Sequence, residues 1–288
     1  PDRHIWSGCL VDNDGVATAI YTMDNIDVWV ATSRDSALER FEKYPGNPVI
    51  KGPPAALAVW RAGGAPEMRD PWVWREADGW YLVVGSGFDG GRGPVIPLYR
   101  SQDLVRWEYL HPLYEGDARA GDGTFCECPC FFPLGDKHVL FLSHERQYLV
   151  GRYEGHRFTP ERRGSLDAGP IYVPHAVADD RGRRIMWGWV HDERSREAFA
   201  RAGWACMQTL PRTLSLGDDG LLRFDPVEEL SALRGLHRRI TLPDLADREV
   251  EITGVAGAQL EVRFECRPAD AAETGIILRQ GSTEAIVS

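Results

Sequence analysis

A chain of 288 residues with 43% hydrophobic side chains can bury one large core, or one core and part of another, and nothing in its composition points to disorder. Lys and Arg number 33 against 43 Asp and Glu, a formal charge of -10 that repels phosphate backbones and anionic lipids. Neither nucleic acid nor a membrane is therefore expected as a partner, whereas a neutral sugar would be indifferent to the charge.

In chain order, period-2 apolar runs bounded by Gly, Asp, Asn and Pro dominate, and long helical periodicity is scarce, so the chain reads as all-β. Four times an Asp/Gly-type turn precedes an aromatic-rich strand. The turns are Asp14-Gly15 before Ala19-Ile20-Tyr21, Asp78-Gly79 before Trp80-Tyr81-Leu82, Gly135-Asp136 before Val139-Leu140-Phe141, and Gly182 before Ile185-Met186-Trp187. The first two units also close alike, with Ser33-Arg34-Asp35 before Phe41–Tyr44 and Ser101-Gln102-Asp103 before Trp107-Glu108-Tyr109. Units of about fifty residues and four strands are the signature of β-propeller blades, whose faces are covered only by stacking on neighbours. Four such units fit into residues 1–216.

Residues 217–234 read as a linker, with a short helix expected over Pro226–Arg234. From 235 to 288 the pattern changes. Val250-Glu251-Ile252, Leu260–Phe264 and Glu284–Val287 alternate as the half-buried strands of a second β domain would, and some fifty residues are too few for a sandwich of about 100. A truncated β-sandwich is expected there. No apolar run is long enough to span a bilayer and no basic-apolar leader stands at Pro1. Three of the six cysteines, Cys126, Cys128 and Cys130, crowd one pentapeptide, unlike a disulfide framework, and a reducing, cytoplasmic compartment is expected.

Three segments carry chemistry. Arg69-Asp70-Pro71 sets a carboxylate at the mouth of a unit beside an arginine that can hold it ionised; the alternative is a turn cap with a surface ion pair. Phe125–Phe132 sets Glu127 among sulfur and aromatic groups, where burial would raise a carboxyl pKa towards that of a general acid. Against that stand a solvent-facing strand residue and a metal site. Alternation places the three sulfurs on one strand face, but zinc sites draw wider spacing such as Cys-x2-Cys, and no partner pair stands elsewhere, so no metal or other cofactor is expected. Trp6-Ser7-Gly8 offers an aromatic face and a hydroxyl suited to a sugar ring, or else packs between units.

In order, these segments resemble glycoside hydrolase family 32, which includes invertases, inulinases and levanases. Trp6-Ser7-Gly8-Cys9 is similar to the family's Trp-Ser-Gly-Ser, Arg69-Asp70-Pro71 to Arg-Asp-Pro, and Cys126–Cys130 to Trp-Glu-Cys-Pro-Asp. Leu166-Asp167-Ala168-Gly169 with Tyr172, and Gly203-Trp204 with Leu210-Pro211-Arg212, extend the likeness over nearly the whole chain. The resemblance implies a five-bladed propeller, about four blades of it present, followed by a β-sandwich, with the site at the central funnel. It implies a retaining hydrolase of terminal β-fructofuranosyl linkages in sucrose, inulin-type or levan-type substrates. Glu127 would be acid/base, Asp70 would hold fructosyl hydroxyls in the transition state, and Trp6, Ser7, Arg69 and Asp167 would line the fructose subsite.

The family's nucleophile is an aspartate in a Trp-Met-Asn-Asp-Pro-Asn-Gly-type segment before Trp-Ser-Gly. Here five residues precede Trp6, and Asp2 sits in no such segment, so residues 1–288 are expected to lack the nucleophile, to be inactive alone and to aggregate. Cys9, Cys126 and Cys130 stand where the family has Ser, Trp and Asp. The rival readings are a carbohydrate-binding propeller without catalysis and an arabinofuranosidase-like five-bladed enzyme.

Overall fold

The computed structural model describes residues 4–242, 245, 248–257, 259–267, 270–280 and 283–287, so Asp2 lies outside the described residues. The chain forms two units, residues 1–227 and 228–288.

In the first unit four antiparallel sheets follow one another, each strand pairing with the next along the chain. The first sheet runs Ile5–Asn13, Val16–Met23, Asp27–Ser33 and Glu42–Lys43; the second Arg69–Glu76, Gly79–Gly87, Pro94–Ser101 and Glu108–Glu115. The third runs Cys130–Leu134, Lys137–Leu142, Gln147–Glu154 and Arg157–Ser165. The fourth runs Ile171–Ala178, Arg184–Val190, Arg212–Leu216 and Leu222–Pro226, with Met207–Gln208 added on Arg184–Val190. All four expected turns fall between first and second strands. Asp14 and Gly15, for example, both have positive φ, the backbone a two-residue hairpin needs.

The closing segments also form as read. Ser101 Oγ accepts from Asp103 N and Leu104 N, while Asp103 Oδ1 accepts from Val105 N and Arg106 N, turning the chain into the fourth strand. Ser33 and Asp35 repeat the device, with Asp35 accepting from Ala37 N and Glu39 N.

The sheets stack in chain order through their faces, first on second, second on third and third on fourth. Strand composition follows position in the stack. Gly79–Gly87 is covered on both sides and is buried from Trp80 onward, whereas the outer strand Arg157–Ser165 is mostly exposed and carries Arg, Glu and Pro, which blunt a sheet edge. A core of Trp72, Tyr81, Phe131, Phe132, Phe141 and Leu214 joins the second, third and fourth sheets; Ile20, Val30, Val73 and Leu82 form a second between the first and second. These features confirm the four-bladed β-propeller arrangement.

Two readings change. Residues 217–226 are no linker, because Gly217 N bonds Leu221 O and Gly220 N bonds Gly217 O, folding Leu222–Pro226 back as the last strand of the fourth sheet. The short helix expected next is a 3-10 turn, Glu228–Leu233. A helix not foreseen, Arg196–Ala202, starts where the Ser195 side chain accepts from Ala198 N and ends at Gly203 in the left-handed region.

In the second unit the described strands are Ile276–Gln280 and Thr283–Val287, paired as a hairpin. Residues 250–252 and 260–264 are not strands, and Ile252, Leu260, Val262 and Phe264 are exposed there. Alternation makes a strand only when an opposing surface covers its apolar side.

Candidate active site

Three of the four innermost strands open with a distortion at the same end. Register shifts lie between Ile5 and Gly8, between Arg69 and Trp72, and between Tyr172 and His175, and Asp70 and Val173 have positive φ. Cys128, just ahead of the third innermost strand, is also left-handed. Bulges re-aim side chains, and positive φ at non-glycine residues stores strain that clusters at functional sites. Trp6, Ser7, Asp70, Glu127 and Tyr172 all sit within these distortions.

Close backbone approach explains the small residues of the motifs. A Cβ on Gly8 would lie 2.0 Å from Ile20 O, so only glycine lets Trp6-Ser7 bulge there. Likewise Cβ atoms on Gly85 and Gly87 would lie 2.2 Å from Cys126 O and Thr124 O. Their absence lets the segment bearing Glu127 lie on the second sheet, where Cys126 N bonds Ser86 O at 3.0 Å.

Arg69 organises the group. Its Nη2 donates to Glu127 Oε1, its Nη1 donates to Glu67 Oε2 at 2.7 Å and to Asn25 Oδ1 at 2.9 Å, and its Nε lies 3.6 Å from Asp70 Oδ2. The guanidinium also faces the rings of Trp6 at 5.5 Å and Phe125 at 4.7 Å. Burial alone would lower the Arg69 pKa; Glu67 and Glu127 outweigh it and raise it, so the cation is permanent.

Asp70 is 5% exposed. Its backbone N donates to Thr22 Oγ1 at 2.7 Å, and its Oδ2 accepts from Cys128 N at 3.1 Å, which fixes the carboxylate between the first and third sheets. Arg69 stands beside Asp70 as expected and favours its ionised form, but it does not set the net shift. Burial raises the Asp70 pKa, and the Cys128 N–H and Arg69 only offset part of that. Ser7 reaches the same place, hydrogen-bonded to the Cys128 thiol, which also bonds Asp70.

The apolar setting expected around Glu127 is corrected as well. Its Oε1 is held by Arg69 and its Oε2 by the Tyr172 hydroxyl, and the side chain is 21% exposed. Burial and then Glu127 raise the Tyr172 pKa, so the phenol stays a donor. The three sulfurs do not share a strand face, because left-handed Cys128 breaks the alternation before the strand begins at Cys130. Cys128 points to Ser7 and Asp70, and Cys130 Sγ accepts from Ala176 N at 3.3 Å on the fourth sheet. All six cysteines are free thiols. Among the described residues no group of His, Cys, Asp and Glu could hold a metal ion, and no helix is long and apolar enough to cross a membrane.

Trp6, Ser7, Arg69, Asp70 and Glu127 are thus brought together. Asp167 is held elsewhere, by Arg212 at 2.5 Å and Gly169 N at 2.8 Å. Burial would raise its pKa, but Gly169 and Arg212 outweigh that and keep it low. Glu67, Asn25 and Thr22 escaped the motif reading; Glu67, two residues before Arg69 and opposite in charge, carried the one available signal.

Comparison with known proteins agrees with this fold. The family model for glycosyl hydrolases family 32, N-terminal domain, matches residues 1–226. Sucrose-6-phosphate hydrolase of Escherichia coli is 32% identical over 96% of this chain and 60% of its own length. Fructan 1-exohydrolase w2 of Triticum aestivum is 30% identical over 93% of this chain and 50% of its own. The crystal structure of fructan 1-exohydrolase IIa from Cichorium intybus, in complex with 1-kestose, superposes with a TM-score of 0.70 at 27% identity, covering 81% of this chain and 48% of that one. The chain therefore spans 60% or less of the length of these relatives. With a matching family model over the whole propeller unit and two relatives at 30% identity or more, the chain belongs to glycosyl hydrolases family 32.

Proposed function

We propose that this chain supplies two of the three carboxyl groups of a retaining β-fructofuranosidase. The observation that carries the reading is the convergence of Asp70 and Glu127, from adjacent sheets, on the largely covered Arg69 guanidinium, with Asp70 also accepting from Cys128 N. In this reading the terminal fructosyl ring sits over Trp6, with Ser7, Arg69 and Asp70 binding its hydroxyls. Asp70, aimed by Thr22 and Cys128, strengthens its hold as positive charge develops on the ring.

Glu127 is the acid/base. An aspartate nucleophile attacks the anomeric carbon while Glu127 gives its proton to the leaving oxygen, and the glycosidic carbon–oxygen bond breaks. Glu127, now a carboxylate, takes a proton from water; that oxygen attacks the fructosyl-enzyme, the ester bond to the nucleophile breaks, and fructose leaves. Tyr172 and Arg69 fix the two Glu127 oxygens throughout. Retention of configuration places nucleophile and acid about 5–5.5 Å apart. The nucleophile belongs to the family's Trp-Met-Asn-Asp-Pro-Asn-Gly-type segment, which the 288 residues do not contain. The similar proteins are named for sucrose 6-phosphate or fructan hydrolysis, so the substrate is a neutral or phosphorylated fructoside.

The test is fructose release from sucrose and 1-kestose by the whole protein, with Glu127→Gln. That change should reduce kcat about 10²- to 10⁴-fold. Azide should restore part of the rate with an activated fructosyl donor, whose departure needs no proton. A wild-type protein inert on both sugars and on sucrose 6-phosphate, or a Glu127→Gln variant of undiminished rate, rejects the reading.

A further inference from the structure

We propose that Trp189 and His191 form the subsite for the leaving-group sugar; this rests on the fructosidase reading above. A general acid must stand beside the oxygen it protonates, so the leaving group departs over Glu127. The fructosyl side of Glu127 is filled by Arg69, Asp70 and Trp6. On its other carboxylate oxygen stands Tyr172, and what lies beyond Tyr172 meets the leaving group.

The sheet register decides what that is. Tyr172 and Trp189 are direct cross-strand partners, so their side chains rise from one face of the fourth sheet, and His191, two residues on, continues that face. The rings have closed up accordingly. Tyr172 meets His191 edge-on at 4.9 Å and Trp189 at 6.1 Å, while the Trp189 and His191 rings lie 4.2 Å apart and only 31° from parallel. His191 thus stacks against the Trp189 ring, and the pair makes a ledge.

The ledge is open. Trp189 is 40% exposed and His191 is exposed, unlike the buried aromatic rings of the second and third sheets. A ring this large left uncovered beside a general acid suits the apolar C–H face of a neutral sugar, with the imidazole nitrogens placed for its hydroxyls. Val173, Cys206 and Met207 line a cavity of about 560 Å³ alongside Trp189, which leaves space for a longer leaving group. The ligand class is a hexosyl leaving group, such as the glucosyl part of sucrose.

The experiment compares kcat/KM of the whole protein for sucrose with that for methyl β-fructofuranoside, whose leaving group is too small to reach the ledge. In Trp189→Ala the ratio of sucrose to methyl fructoside should fall roughly tenfold, carried by KM for sucrose. Trp189→Phe should recover most of it, and His191→Ala, at an exposed position, should shift the ratio in the same direction by less. An unchanged ratio in Trp189→Ala and His191→Ala overturns the subsite. Should Trp189→Ala fail to fold, the ratios in the other two variants decide in the same way. A wild-type protein inert on both substrates and on sucrose 6-phosphate rejects the parent reading, and the subsite with it.

Discussion

The middle sheets of the propeller unit and the sheets that end the row obey the same strand grammar but expose different things. Between residues 45 and 176, which hold the second and third sheets, no large hydrophobic side chain is exposed. The first sheet and its closing segment expose Ile5, Trp6, Leu10, Leu38, Phe41 and Tyr44, and the fourth exposes Val177, Trp189, Trp204, Met207 and Leu210. A blade covers its faces only with other blades, so apolar faces persist wherever the stack has an end. The candidate site straddles the contrast. Asp70 and Glu127 stand on the well-covered sheets, while Trp6, Ser7 and Tyr172 reach in from the end sheets.

The largest effect that would break this comparison is on activity. Purified residues 1–288 should release no detectable fructose from sucrose, and should bind a hydrophobic dye and scatter light as they self-associate. Robust turnover by that polypeptide would mean that its own carboxylates complete the site. Next in size is stability. Phe131, buried among Trp74, Tyr153 and Phe158 between the second and third sheets, should cost about 3–5 kcal/mol on change to Ala, read by urea denaturation. Leu10→Ala, on an open face of the first sheet, should cost less than about 0.5 kcal/mol. Equal losses at both positions would remove the distinction between covered and uncovered sheets.

The same contrast governs what could be read in advance. The four turns and the Ser-x-Asp closures are local, since a few neighbouring residues set the backbone and satisfy its hydrogen bonds, and all of them formed as expected. The motifs located Trp6, Ser7, Arg69, Asp70 and Glu127, but not their surroundings. Alternation carried across Cys128 puts the three sulfurs on one strand face, and nothing local announces that Cys128 turns left-handed. Asn25 and Thr22 are more than forty residues from Arg69 and Asp70, a separation that spacing rules cannot bridge. The segments at 250–252 and 260–264 failed for the reverse reason, since alternation without a covering surface leaves the backbone unpaired.

Asp70 sharpens the comparison at the site itself. Burial raises its pKa in the folded chain, so between the unfolded and folded values the folded state binds the extra proton. Stability therefore falls as pH rises through that window, and above it the ionised carboxylate is a standing cost. Asp70→Asn keeps an acceptor for Cys128 N without the charge. Its denaturation midpoint at neutral pH should equal or exceed wild type, with a flatter dependence on pH below neutrality, while fructoside hydrolysis by the whole protein falls roughly 10²- to 10³-fold. A variant that unfolds more readily at neutral pH would show that the charge is stabilising and that Arg69 dominates its surroundings after all.

The smallest effect concerns the seam between a covered and an uncovered sheet. Burial pushes the Cys130 thiol up to about 12, so it stays protonated, accepting from Ala176 N and facing Ala176 O at 3.9 Å. Cys130 lies three residues after Glu127, and Ala176 four after Tyr172, so this contact closes a loop whose other closure is the Tyr172–Glu127 hydrogen bond. Cys130→Ala leaves the Ala176 N–H buried without its sulfur and should cost about 1–2 kcal/mol in urea denaturation. It should also lower kcat on fructosides while leaving KM nearly unchanged, because the acid shifts against its tyrosine and the fructose subsite does not. Cys130→Ser, shorter but still able to accept, should recover part of both losses. If Cys130→Ala loses stability with no change in kcat, the third and fourth sheets hold Glu127 in place without this bond, and the seam serves the fold alone.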